Sequence, residues 1–216
     1  MAKSRPKVIL SAAISLDGKI ATRMGDSALS SGVDKKRLHK LRTQVDAILV
    51  GKNTVLQDDP MLNVRYAKGK SPIRIVLDSL GQTPTSSKII RTSDKIQTII
   101  AVSEKIPQKN LDKLAKFPID IVISGKNRVE LKKLLDILGQ AKIKTVLLEG
   151  GGTTNWDFVN QGLVDQVIVT VAPYLVGGKE AKSLVDGDGF AKISKSLRLK
   201  LDQVTRQGNE IVLYYS

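Results

Sequence analysis

The feature that most constrains this chain is a repeated change of hydrophobic period. Short apolar runs end in glycine or a small polar residue, and stretches with apolar residues at helical spacing follow them. Lys7-Val-Ile-Leu-Ser-Ala-Ala-Ile14 is the first such run and ends in the turn-prone Ser15-Leu-Asp-Gly18. Val33, Leu38, Leu41 and Val45 then predict a helix over 33–45, with Asp34 near its start. Further strands are expected at 46–50, 72–78, 98–103, 119–124, 144–148 and 165–172, and further helices at 53–58, 108–116, 128–141 and 154–160. Parallel neighbours need a long crossover, usually helical, so this alternation predicts an α/β fold with a mostly parallel central sheet and helices on both faces. The tail differs: 197–205 and 210–215 alternate apolar and polar residues around Gln207-Gly-Asn209, the pattern of an antiparallel C-terminal hairpin. No linker, composition shift or internal repeat divides the sequence, so residues 1–216 read as a single domain.

Composition removes several classes of chemistry. With no cysteine and one histidine, the chain has no disulfide framework, Cys/His zinc site, iron–sulfur cluster or thiolate nucleophile. Its apolar runs, such as 48–50 and 146–148, are far shorter than the roughly 18 residues of a membrane helix. Met1-Ala-Lys-Ser-Arg-Pro6 runs straight into the first strand with no signal-peptide pattern, so a cytoplasmic protein is expected. The net charge of +14 favours anionic partners: nucleic acid, a phosphorylated metabolite or a dinucleotide. Basic residues are spread along the chain and aromatics make up only 4%, so neither a basic stripe nor a stacking platform for nucleic acid is expected.

Three expected strand ends carry residues suited to a ligand. Glu149-Gly-Gly-Gly-Thr-Thr-Asn155 lies where a strand should hand over to a helix. Glycines there let a phosphate approach the backbone, and Thr153, Thr154 or Asn155 would cap the helix. The spacing fits neither G-x-G-x-x-G nor the P-loop. Val50-Gly-Lys-Asn-Thr54, with Thr54 as a capping group, and Asp78-Ser79 are the other two. Ligands of open parallel sheets gather outside the carboxyl ends of the strands, so the three together suggest one long anionic ligand such as a dinucleotide. His39, alone on its helix, reads as structural or solvated and is assigned no role. Asp58-Asp59 before Pro60 reads as a helix end, and no metal is expected.

Residues 46–65, from Asp46-Ala-Ile-Leu-Val-Gly-Lys to Asp58-Asp-Pro-Met-Leu-Asn-Val-Arg65, carry a resemblance. Together with Ser15-Leu-Asp-Gly-Lys-Ile-Ala21, Leu148-Glu-Gly-Gly-Gly-Thr-Thr-Asn-Trp156 and the stretch from Asp165 through Ala172-Pro173 to Gly177-Gly178, the chain resembles the reductases of riboflavin biosynthesis over nearly its whole length. The resemblance implies a dihydrofolate reductase-like fold and reduction, with NADPH, of a ribosylamino-pyrimidine 5′-phosphate to the ribitylamino compound. It implies cofactor contacts at Ala13, Lys52, Thr54, Asp58, Ser79, Gly151, Gly152, Thr153 and Thr154, and substrate contacts at Ser27, Arg42, Leu62, Arg65 and Glu149. Arg42 and Arg65 would hold the phosphate through charge-assisted hydrogen bonds, and Glu149 is the catalytic candidate for proton movement. A homodimer is also implied.

Bacterial relatives often carry this domain behind a zinc deaminase, which a cysteine-free chain lacks. Ser11 stands where those fused enzymes tend to have lysine, and Leu29 replaces an aromatic often found beside the cofactor. The missing deaminase and Ser11 lean toward a stand-alone archaeal or fungal type acting on 2,5-diamino-6-ribosylamino-4(3H)-pyrimidinone 5′-phosphate. The alternatives are the deaminated pyrimidinedione as substrate, a pterin reductase of the same fold, and a nucleic-acid-binding protein motivated only by charge.

Overall fold

The computed structural model describes residues 5–216. Of the opening hexapeptide read for a leader, residues 1–4 lie outside the described residues. The strands are β1 (Lys7–Ile14), β2 (Ala47–Gly51), β3 (Ile73–Leu77), β4 (Thr98–Val102), β5 (Asp120–Ile123), β6 (Thr145–Leu148), β7 (Gln166–Val171), β8 (Leu201–Gln207) and β9 (Glu210–Tyr215). The helices are α1 (Gly32–Arg42), α2 (Lys52–Asp58), α3 (Lys88–Arg91), α4 (Gln108–Leu114), α5 (Leu131–Gln140) and α6 (Gly152–Asn160). The chain divides into two compact units, one made, among the described residues, of Arg5–Pro6 with His39–Leu147 and the other of Lys7–Leu38 with Leu148–Ser216.

In the first unit the strands lie in the order β5-β4-β3-β2-β6, and β2 to β5 pair in parallel. β2 and β4 are buried at every position, as parallel strands covered on both faces must be. Ile48, Val50, Val76, Ile100 and Val102 share one face and join Val55, Leu62, Ile89, Ile90 and Leu114 in an apolar cluster. Each such side chain contributes about 1.5–3 kcal/mol by leaving water. α5 buries Leu131, Leu134, Leu135 and Leu138, one stripe of a 3.6-residue period.

Arg74 of β3 pairs with Ile48 on one side and Thr98 on the other, so it sits on that same apolar face with no exposed surface. Nε donates to Thr98 Oγ1 at 3.0 Å, Nη1 to the Met61 carbonyl at 3.2 Å and Thr92 Oγ1 at 2.8 Å, and Nη2 to the carbonyls of Ile89 and Ile96 and to Thr98 Oγ1 at 2.6–3.0 Å. Burial pulls the guanidinium down to about 10, against the opposing pull of Asp94, and it stays ionised at neutral pH.

In the second unit the order is β1-β7-β9-β8. β1 and β7 are parallel from Ile9↔Gln166 to Ile14↔Val171, while β9 runs antiparallel to both β7 and β8. Successive residues of a strand face opposite ways, and helices lie on each side. Thr170, level with Ala13, donates its hydroxyl to Asp34 of α1 at 2.7 Å. Leu10 and Val167 point the other way, into an apolar cavity shared with Trp156 and Val159 of α6 and with Leu184 and Phe190.

The α/β class, the mostly parallel sheet and the C-terminal hairpin follow the sequence reading, and β1 has the bounds of the expected first strand. The helix expected over 33–45 ends at Arg42, and its buried positions are Asp34, His39 and Arg42, while Val33 is 59% exposed. The reason is what that helix meets: Asp34 binds a hydroxyl and Arg42 a carbonyl, where apolar spacing presumed an apolar wall. α3 was not expected, since four residues are too few for periodicity to register.

Replacing Arg74 with methionine is expected to cost at least about 3 kcal/mol, because three buried carbonyls and two hydroxyls lose a donor that no water replaces. Urea unfolding of Arg74→Met against wild type measures this.

Candidate active site

The turn between β6 and α6 begins with backbone geometry. Gly151 has φ +107°, a region L side chains rarely adopt, and is the N-cap of α6 without a side-chain cap bond. Thr153, Thr154 and Asn155 are therefore not the cap, as their residue types suggested. They form the first turn of the helix, where Asn155 N–H bonds the Gly151 carbonyl at 2.9 Å. The flanking glycines are fixed by this chain's own atoms. A Cβ on Gly150 would run into Asn155 Oδ1, and one on Gly152 into the Asp186 carboxylate and the Ser183 carbonyl. Asn155 Nδ2 donates to the Leu184 carbonyl at 2.7 Å, and Asp186 N–H to the Gly152 carbonyl at 3.0 Å. The N–H groups of Gly152, Thr153 and Thr154 have no carbonyl four residues back within the helix, which suits them to an anion.

The 181–187 strap is held from its other side as well. Lys19 Nζ donates to the Ala181 carbonyl at 3.2 Å and to Ser183 Oγ at 2.9 Å, and Leu184 N–H to the Gly18 carbonyl at 3.1 Å. Asp17 accepts from Ser15 Oγ and from the N–H groups of Val176 and Gly177, which hold its carboxyl well below the usual carboxylate range. The Ser15-Leu-Asp-Gly18 segment thus fastens two later loops of its unit. Ala13 and Glu149 are half-buried, Thr153 and Ser27 exposed, and Leu29 buried. Ser11 is buried with its Oγ unpartnered.

The remaining sequence-derived residues lie in the first unit. Gly51 caps α2 and Thr54 is its third residue, so Thr54 is not the capping group expected of it. Lys52 opens that helix and donates from Nζ to Gln82 Oε1 at 2.7 Å. Asp58 closes the helix, and desolvation raises its carboxyl pKa. Ser79 Oγ accepts from Val129 N–H at 3.0 Å, while the neighbouring Asp78 carboxylate takes the N–H and hydroxyl of Thr83.

Arg42 and Arg65 are brought together by the end of α1. Arg42, 8% exposed, donates from Nη1 to the Asn63 carbonyl at 3.0 Å. His39, 3% exposed, accepts the Arg65 N–H on Nδ1 at 2.9 Å. Leu62 precedes this loop in the left-handed region at φ +48°, its side chain buried in the apolar cluster. The sequence reading leaves His39 without a role, takes Asn155 only as a possible cap, and does not reach Asp186. Lys19 stood in a quoted motif without a role. Among the described residues no group of three or more His, Cys, Asp or Glu could hold a metal ion, and no helix is long and apolar enough to cross a membrane.

A mostly parallel α/β sheet in which a strand runs through a glycine turn into a helix is a frame shared with nucleotide-binding enzymes. Residues 6–213 match the RibD C-terminal domain family, and the chain belongs to it. It is 42% identical over 215 residues to the 2,5-diamino-6-ribosylamino-4(3H)-pyrimidinone 5′-phosphate reductase of Methanothermobacter thermautotrophicus, covering 98% of both chains. It is 37% identical over 213 residues to the protein of the same name from Aquifex aeolicus, covering 96% of this chain and 95% of that one. Among solved structures, Acinetobacter baumannii RibD superposes with a TM-score of 0.84 at 29% identity, over all of this chain and 58% of that one. Enterococcus faecalis dihydrofolate reductase, at 11% identity and a TM-score of 0.53, shares the fold.

Gly152→Ala is expected to destabilise the protein by about 1–3 kcal/mol with no cofactor present, since the methyl group overpacks against Asp186 and Ser183. In a double-mutant cycle, Asp186→Ala should return part of that loss and give a coupling of at least about 0.5 kcal/mol. Strict additivity would remove the contact.

Proposed function

We propose that the chain reduces 2,5-diamino-6-ribosylamino-4(3H)-pyrimidinone 5′-phosphate to its ribitylamino product, using NADPH, as a cytoplasmic homodimer. One observation carries the reading: along the full length of a chain 42% identical to a reductase of that name, Arg42 and the backbone of Arg65 are tied to the same helix end, the first through the Asn63 carbonyl and the second through His39. The single-domain reading belongs to the same proposal.

For the dinucleotide the candidate contacts are, within the second unit, the backbone N–H groups at the start of α6 with Ala13, Thr153 and Thr154, and, within the first unit, the side chains of Lys52, Thr54 and Ser79 with Asp58. The fit rests on Gly151, whose positive φ leaves the turn without a side chain, and on the first-turn N–H groups. NADPH, when bound, supplies the hydride. The ribosylamine must open to an imine before C1′ can accept it, and the adjacent nitrogen then takes a proton. Glu149, next to the glycine turn, holds the sugar or moves that proton. Arg42 and Arg65 bind the 5′-phosphate, with Ser27 and Leu62 against the rest of the substrate. Leu201 and Val204, exposed on the outermost strand β8, support association of two copies at the sheet edge.

The test is NADPH oxidation with the diamino substrate in competition with its deaminated counterpart. A clear preference for the diamino compound is expected; preference for the pyrimidinedione reverses the order of steps, and no turnover of either overturns the proposal. Arg65→Ala should raise KM for substrate roughly ten- to a hundred-fold while sparing that for NADPH, the value of a charge-assisted contact. Lys52→Ala should raise KM for NADPH more than for NADH, and equal effects would remove it from the 2′-phosphate.

A further inference from the structure

His39 faces two groups that can only donate. The Arg65 backbone N–H points at Nδ1 from 2.9 Å, and Arg42 Nη1 stands 3.5 Å from Nε2. A backbone N–H requires a lone pair, so Nδ1 is bare and the neutral ring carries its proton on Nε2. The Arg42 contact is then not a hydrogen bond, and Arg42 turns its Nη1 to the Asn63 carbonyl. The ring also packs edge-on against Tyr66, with centroids 4.8 Å apart, and the Arg65 guanidinium carbon lies 5.8 Å from the centre of that same Tyr66 ring. A cation so placed is attracted to the ring face. One side chain therefore fixes Arg65 twice: the backbone through Nδ1, and the guanidinium through the ring it rests on.

We infer that His39 is a positioning residue for the substrate phosphate, acting through Arg65 by means of its bare Nδ1 and its packing on Tyr66. The inference rests on the reading of Arg42 and Arg65 as the phosphate ligands. It assigns His39 no proton transfer and no substrate contact. What it supplies is preorganisation: without the Nδ1 acceptor the Asn63–Tyr66 loop has more conformations to lose when the phosphate binds.

The test uses the chemistry of the acceptor. Asparagine carries Oδ1 on Cγ, as histidine carries Nδ1, so His39→Asn keeps an acceptor for the Arg65 N–H. Glutamine moves its oxygen one bond outward, and leucine has none. With the phosphorylated substrate, His39→Gln and His39→Leu, which lose both the placed acceptor and the ring, should raise KM about ten-fold, the worth of one lost hydrogen bond with its ordering, and His39→Asn, which loses only the ring, less than three-fold. kcat and KM for NADPH should hold within about two-fold in all three, and the Gln and Leu defects should vanish with dephosphorylated substrate. Asn and Gln variants that behave alike, or a defect that persists without the phosphate, overturn the inference. Arg65→Ala run beside them separates the readings: if it leaves substrate KM unchanged, the phosphate assignment itself fails. Should the Gln and Leu variants not fold, the wild type still decides. The chain has one histidine, so long-range 15N spectra at neutral pH report its tautomer without assignment. A proton on Nδ1 overturns the inference.

Discussion

A buried cation with no carboxylate hydrogen-bonded to it organises the His39–Leu147 unit. Removing a guanidinium from water is tolerable only when nearly every N–H finds an acceptor, and Arg74 finds them in three carbonyls and two hydroxyls. Those acceptors come from β4, from α3 and the turn after it, and from the loop that follows α2. The demand therefore runs outward: because Arg74 needs the Met61 carbonyl, the chain next to Leu62 is held, and that chain leads directly into Asn63–Arg65. A residue at the start of a strand thus constrains the loop carrying a candidate phosphate ligand.

The same logic of satisfied polar groups governs the other unit. Leu16, Asp17 and Lys19 bond loops more than 150 positions later, and Asn155 and Asp186 close the strap against the start of α6. Gly150 and Gly152 are small because these partners stand where a side chain would be. The glycine run thus has two reasons to exist, close approach by its own chain and positive φ at Gly151, before any ligand enters the argument.

Much of the architecture was legible because its signals are strong ones. β1 is an unbroken apolar run with a turn behind it, and the tail hairpin alternates around Gln207-Gly-Asn209. Helix starts were harder. Thr54, Thr153 and Thr154 are good capping types, yet Gly51 and Gly151 take the cap, since an extended or positive-φ glycine precedes each helix. α1 misled for a related reason: burial there follows hydrogen-bond partners far away in sequence, which no local period encodes. For the candidate site, the strand ends stand out as motifs, and the arginines are reached through the resemblance. Asp186, in a stretch with little regular structure, and His39, whose meaning lies in which nitrogen meets which donor, are reached by neither.

The division of the chain also fixes an order of events at birth. Apart from Arg5–Pro6, the described residues of the first unit form one continuous stretch, His39–Leu147, whereas its companion joins Lys7–Leu38 to the last third of the sequence. Val8 meets Asp165, and β1 meets β7, only after more than 150 further residues have been added. At ordinary translation rates of about 5–20 residues per second, that is an interval of roughly 8–30 s. Throughout it the apolar Val8–Leu10 run has no β7 to lie against. Nascent chains of this protein thus pass through a state in which one half can complete its core while the opening strand waits, and the speed of the ribosome over the stretch between β1 and β7 sets how long that strand is available to other chains.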